Sequence, residues 1–323
     1  MPSTAPRPRT TSMISFPASS TPRATPSQTP VVLPHFPGAP TINADASKPG
    51  EPCPSAVGEV QDSSLWATRA VYTDRMGSGN KCPLALFTAW FISMGLLVSA
   101  AVPLQISLNF PFDLFAFVAL APAIACSVVL VFRRWLPEVW QRVPVRQVLI
   151  SSGLACISVV VGVALFALAT GRAPQWNIPT AGAPLALFLC LQVLGAFTEE
   201  IGWRGLAQHC CEQYLHPAVT AAILGFVFGL LHFSFWPLGV LPTLTFATTA
   251  MLLGLTITTI YSGSFWQRMI PATIVHFGVN MALVLFAPGD VSFATSPQIL
   301  GVMVAILAVA VAGRMIVRRA WTS

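Results

Sequence analysis

From about position 83 to the end of the chain, apolar runs alternate with short polar connectors. The runs fall at roughly 83–105, 113–132, 147–171, 183–214, 217–240, 242–262, 269–287 and 298–316. A hydrocarbon core about 30 Å thick takes roughly 20 helical residues to cross, so the pattern predicts an all-α polytopic transmembrane bundle of about eight spans. The fourth run is too long for one crossing, since at about 1.5 Å per residue it would reach about 48 Å. Its polar end, Gln208-His209-Cys210-Cys211-Glu212-Gln213, is expected to emerge into water, with His209 and His216 solvated there. Leu215-His216-Pro217 then turns the chain into the fifth span, with proline at a helix start, where it is tolerated.

The connectors divide by charge. Those after the second, fourth and sixth spans, together with both tails, hold nearly all the nearby basic residues: Lys81, Arg133, Arg134, Arg142, Arg146, Arg268, Arg314, Arg318 and Arg319. The opposite connectors hold Asp113, Asp290 and Arg172. Positive charge stays on the cytoplasmic side, so both termini are expected there. Residues 1–80 show no hydrophobic periodicity and are rich in Pro, Ser, Thr and Ala, the composition of a disordered tail. No apolar stretch follows their early arginines, so they do not read as a secretory signal. Translation starting later, for instance at Met76, would also produce so sharp a break.

Only 9% of the 323 residues are charged, and mean hydropathy is +0.71. Soluble chains carry about a quarter charged residues, so composition agrees with a membrane protein. The net charge of +6 comes from clusters beside the spans, which face anionic lipid, and no basic face interleaved with aromatics points to nucleic acid. Seven scattered cysteines form neither a disulfide framework nor a Cys-x-x-Cys metal pair.

Against this background Glu199 and Glu200 stand out, adjacent carboxylates inside the fourth run with Arg204 following. A carboxylate near the bilayer centre costs about 2.5–3.5 kcal/mol on insertion scales, so such groups mark functional sites. Glu199 lies roughly sixteen residues before the turn at 215–217 and His232 roughly sixteen after it, which puts them at similar height on antiparallel helices. His276 and Asn280, four apart, share one face of the seventh span. His276 follows Arg268 by eight residues, about 12 Å of helix rise. Glu199, His232, His276 and Asn280 are therefore expected in one polar layer between spans four, five and seven. Carboxylates, imidazoles and an amide in one buried layer can activate a water and donate to a developing oxyanion. Glu199 suits the base, His232 a group that positions the water, and His276 with Asn280 the oxyanion donors. Glu200 and Arg204 suit an ion pair that supports Glu199. Phe228 reads as packing, Trp203 and Trp236 as interface anchors or cavity walls. Gly195, Gly202, Gly205, Gly225, Gly229 and Gly278 are expected to allow close helix approach.

Three motifs carry a family resemblance. Glu199-Glu200-Ile201-Gly202-Trp203-Arg204 resembles the EExxxR motif of the type II CAAX prenyl endopeptidase and bacteriocin-processing (CPBP, or Abi) intramembrane proteases. Phe228-Gly229-Leu230-Leu231-His232 resembles their FxxxH motif, and His276-Phe277-Gly278-Val279-Asn280 their His-x-x-x-Asn motif. The resemblance covers roughly 183–287, the expected catalytic core of a membrane domain at 81–320. It implies an intramembrane endopeptidase with the roles given above, acting on a prenylated CAAX-type protein, a peptide or another membrane protein. Family members are labelled metalloproteases, and zinc would then be held by Glu199, His232 and His276. The chain lacks His-Glu-x-x-His, and a metal-free glutamate mechanism is the reading preferred here. A non-catalytic scaffold or bacteriocin-immunity protein of the same fold is the alternative, and a proton-coupled carrier a third. The Ala- and Pro-rich composition points to the plasma membrane of a GC-rich bacterium.

Overall fold

The structure is a computed structural model that describes residues 82–322, apart from positions 138, 139, 177 and 179. The expected tail at 1–80, with Met76, lies outside the described residues. All regular structure among the described residues is helical. Helix α1 spans Pro83–Ser107 and α2 Ala121–Val129, the latter flanked by 3₁₀ turns at Phe117–Leu120 and Leu130–Trp135. Then come α3 (Val145–Thr170), α4 (Leu185–Glu200), a π-helical segment (Ile201–Ala207) and α5 (Gln208–Cys211). Next are α6 (Pro217–Leu230), a 3₁₀ turn (Phe233–Leu238), α7 (Val240–Ile260), α8 (Phe265–Phe286), α9 (Val291–Ala294) and α10 (Pro297–Thr322).

Seven of the helical stretches are long and apolar enough to cross a membrane, and α6 is a shorter apolar helix of 14 residues. The protein is a polytopic membrane bundle, close to the expected eight spans. Large aliphatic residues face outward, among them Leu96, Val131 and Leu168, as a hydrocarbon solvent requires.

The fifth expected span, 217–240, is not one helix. Proline starts α6 as foreseen, but the helix ends at Leu230. The cause is His232, whose ring Nδ1 takes the Phe228 carbonyl at 2.8 Å, the acceptor its own backbone N–H would use in a continuing helix. That N–H turns to Gly229 instead, and the Trp236 indole takes the Leu230 carbonyl at 2.9 Å. Fourteen α residues rise about 21 Å, short of a hydrocarbon core of about 30 Å. His232 sits at the junction rather than within the helix.

Three apolar clusters hold the bundle among the described residues, the smallest joining α4 to α8 through Phe188 and Met281. Of the other two, one joins α3, α7, α8 and α10 through Phe166, Ile257, Val275, Met303 and Ile306. The other joins α1, α2, the π segment and α6 through Trp90, Ala125, Trp203, Leu206 and Phe228. Trp203 is therefore a core residue, edge-on to Trp90, whereas Trp236 is exposed. Each of the six foreseen glycines meets a neighbour where a Cβ would stand, from 2.3 Å (Gly202 on Pro122) to 3.3 Å (Gly195 on Phe115). At Gly229 that neighbour is the Ala247 backbone, which locks α6 against α7.

The polar end of the fourth run does not emerge into water as expected. Gln208, His209 and Glu212 are buried, and Trp140 covers His209 with ring centroids 4.1 Å apart. Protein covers these groups: the segment before α3 lays Trp140 on His209, while Thr258, Tyr261 and Arg268 meet Gln208 and Glu212. Gln267 ties that segment down: its amide donates to the Val143 carbonyl and accepts from the Val143 N–H. His216 is exposed, as expected, and its ring accepts the Ala218 N–H.

Candidate active site

Glu199 and Glu200 end α4, and the backbone then widens into the π segment. Such widenings are rare and gather at functional sites. Thr198, just before the pair, donates its hydroxyl to the Ala119 carbonyl at 2.8 Å, fixing this turn against the 3₁₀ segment at 117–120. The sequence reading passed over Thr198; a lone hydroxyl beside two buried carboxylates was the available clue.

Both carboxylates meet His276 of α8. Glu200 Oε1 lies 2.7 Å from His276 Nδ1, and Glu199 Oε2 lies 3.5 Å from Nε2. Glu200 is fully buried, whereas the Glu199 side chain keeps 18% of its surface exposed. Arg204, one turn along and itself buried, places Nη1 3.2 Å from Glu200 Oε1. Glu200 Oε1 sits against both the Arg204 guanidinium and His276, so the Nδ1 of His276 is the donor in this contact. The free corner of the imidazole, Nε2, then faces Glu199. Glu200 and Arg204 form the expected ion pair, but its carboxylate acts directly on His276. The support of Glu199 runs through that ring.

Phe228 is more than packing. Its ring stands edge-on to His232 (4.6 Å between centroids), His276 (6.1 Å) and Trp203 (5.3 Å), and Arg204 lies over it at 5.6 Å. A cation above an aromatic face is stabilised by the ring quadrupole, which helps keep Arg204 charged inside the bundle. His232 gives its Nδ1 proton to a backbone carbonyl, so the tautomer is fixed and Nε2 is the available atom. Asn280 lies one turn beyond His276, half-buried, with no side-chain hydrogen bond to another described residue. The structure thus brings Glu199, Glu200, Arg204 and His276 into direct contact. It places His232 and His276 against the same Phe228 ring, and Asn280 on the helix that carries His276.

Zinc asks for three convergent protein donors. Glu199 Oε2 and His276 Nε2 supply two, but the Phe228 ring stands against both imidazoles, and His232 does not join them. Among the described residues no three His, Cys, Asp or Glu side chains are grouped to hold a metal ion. The set Glu199, His232 and His276 does not fit a resident zinc in this arrangement.

No curated protein matches the chain significantly. Residues 180–282 match the family model described as type II CAAX prenyl endopeptidase Rce1-like, and every residue of the site falls inside that stretch. The chain is an integral membrane protein, and the stretch that holds the site is similar to the type II CAAX prenyl endopeptidase Rce1-like family.

Proposed function

We propose that this protein is an intramembrane endopeptidase in which Glu199 is the general base and no metal takes part. The observation that carries the reading is the His276 imidazole held between two adjacent carboxylates, one locked and one partly accessible. Glu200, pinned by Arg204, fixes the ring through Nδ1, much as a buried carboxylate orients the imidazole of a catalytic triad. Glu199 takes a proton from water, and the resulting oxygen adds to the scissile carbonyl carbon. His232 Nε2 orients that water. The Asn280 amide, together with His276 Nε2–H when the ring between the two carboxylates carries both protons, serves as donor to the oxyanion, which is worth about 10²–10³-fold in kcat per donor. Glu199 then returns its proton to the departing nitrogen as the C–N bond breaks.

The substrate class is a prenylated CAAX-type protein, a peptide or another membrane protein, met within the lipid. Both termini lie in the cytoplasm, a reading supported by the basic connectors. Purified protein in liposomes would be given a farnesylated CAAX peptide and its unprenylated twin, with Glu199→Gln as control. Cleavage of either that is absent from the control supports the reading. Cleavage unchanged by Glu199→Gln, or no cleavage of any membrane peptide beside intact binding, refutes it.

A further inference from the structure

Glu200, Arg204, Gln208 and Glu212 stand four residues apart and are all buried, at 0, 2, 1 and 8% exposure. In an α-helix a step of four residues overshoots a full turn by about 40°. In a π turn of roughly 4.4 residues it falls short by a similar angle. The π segment at Ile201–Ala207 therefore cancels the drift and keeps these polar side chains on one face for three turns. Across from them runs one edge of α7, with Gly254, Thr258 and Tyr261.

Contacts fill both ends of this row. At one end Glu200 meets Arg204 and His276. At the other, Gln208 Nε2 lies within hydrogen-bond distance of Glu212 Oε1 (2.8 Å), Thr258 Oγ1 (3.1 Å) and the Tyr261 hydroxyl (2.6 Å), three partners for its two hydrogens. Tyr261 lies under Arg268, whose side chain keeps 17% exposure. The turn between these groups is different. Arg204 Nη1 and Nη2 and Glu200 Oε2 are buried, yet none makes a hydrogen bond to protein. Arg204 Nη1 is within ion-pair distance of Glu200, but its hydrogens are not directed there. Gly254 lets α7 pack closely against this place, since a Cβ at that position would come within 3.3 Å of Arg204 Nη2 and 3.0 Å of the Ala221 carbonyl oxygen. Buried donors and acceptors of this kind are satisfied by water, which makes about three hydrogen bonds in such sites.

We propose that the Glu200–Arg204–Gln208–Glu212 row and the facing edge of α7 bind a file of water molecules. The file leads from the Arg268–Tyr261 end of the bundle to Glu199. The idea rests on the hydrolytic reading of the site, because each bond cleaved consumes a water that hydrocarbon cannot supply. Thr258 and the Gln208 amide hold the file next to Tyr261, and Arg204 holds it next to Glu200. Polar side chains in such rows are what proton and water routes across membranes are built from.

Radiolytic labelling of the full chain in nanodiscs, in water enriched in ¹⁸O, reads bound water without reference to proteolysis. Wild-type protein is expected to take up ¹⁸O at Tyr261 and at Phe228, although both rings are buried. Gln208→Leu, and the shape-conserving Thr258→Val, are expected to lower uptake at Phe228 severalfold while Tyr261 stays labelled. With a cleavable substrate the same variants should lose kcat by about tenfold to a hundredfold, with KM unchanged, within what positioned proton transfer contributes. No uptake at Phe228 in the wild type overturns the water file, whether or not the protein is a protease. Lost uptake with an unchanged kcat overturns the route to Glu199. The expected labelling in a protein that cleaves nothing supports the water site and sinks the protease reading instead.

Discussion

Replacing Glu200 by glutamine keeps the side chain's shape and removes its charge, so it isolates what that charge does. Glu200 is fully buried between Arg204 at 3.2 Å and His276 at 2.7 Å. Without it the guanidinium stays buried with no counter-ion, and breaking a buried pair on one side costs about 3–5 kcal/mol. By the ratio for soluble chains of similar size, that is a fall in melting temperature of about 6–20 °C. Glu199 is different. It is partly exposed, its partner is 3.5 Å away, and it repels Glu200 beside it. Glu199→Gln should leave the melting temperature at or slightly above wild type while abolishing cleavage. Arg204→Met should destabilise about as much as Glu200→Gln, since it strands the opposite charge. The double variant Glu200→Gln/Arg204→Met should recover most of that loss, to within about 2 kcal/mol of wild type. Differential scanning fluorimetry in detergent on the four proteins completes the cycle. Additive losses in the double variant, or a stable Glu200→Gln beside an unstable Glu199→Gln, would refute the assignment of the two carboxylates.

Alanine at Glu199, His232 or His276 should each remove most cleavage, and double variants should lose little more, because residues acting as a unit are non-additive; independent, multiplying losses would argue against one catalytic group. Asn280→Ala should lower kcat by about 10²–10³-fold with little change in melting temperature, the pattern of a lost oxyanion donor. Cleavage should survive exhaustive chelation; activity lost to a chelator and restored by zinc would show that the donors regroup around a metal. Cysteines placed at 113 and 172 should react with an impermeant label from one side of the membrane and one at 142 from the other, and labelling of 113 and 142 from the same side would break the proposed orientation.

Spans, motif positions and the sharing of a helix face by His276 and Asn280 were legible in the chain, because hydropathy and local spacing are one-dimensional properties. In a bilayer a charged pair such as Glu199 and Glu200 cannot be accidental, so the site announced itself through cost. The contact order within the site was not legible. That Glu200 grips His276, and that Phe228 stands edge-on to both histidines, depends on how α4, α6 and α8 rotate about their axes. Spacing along the chain carries no such information. The break at His232 was hidden for a similar reason: it arises from a side chain taking its own helical carbonyl, which composition does not encode. The burial of Gln208, His209 and Glu212 was misjudged because polar residues read as solvated until a partner is known. Those partners, Trp140, Thr258, Tyr261 and Arg268, come from other parts of the chain. The sequence determined which segments are long and apolar enough to cross a membrane and which polar side chains lie within them. Tertiary packing alone decided which of them touch, since hydrogen bonds and ion pairs act over about 3 Å, far less than the uncertainty that spacing leaves.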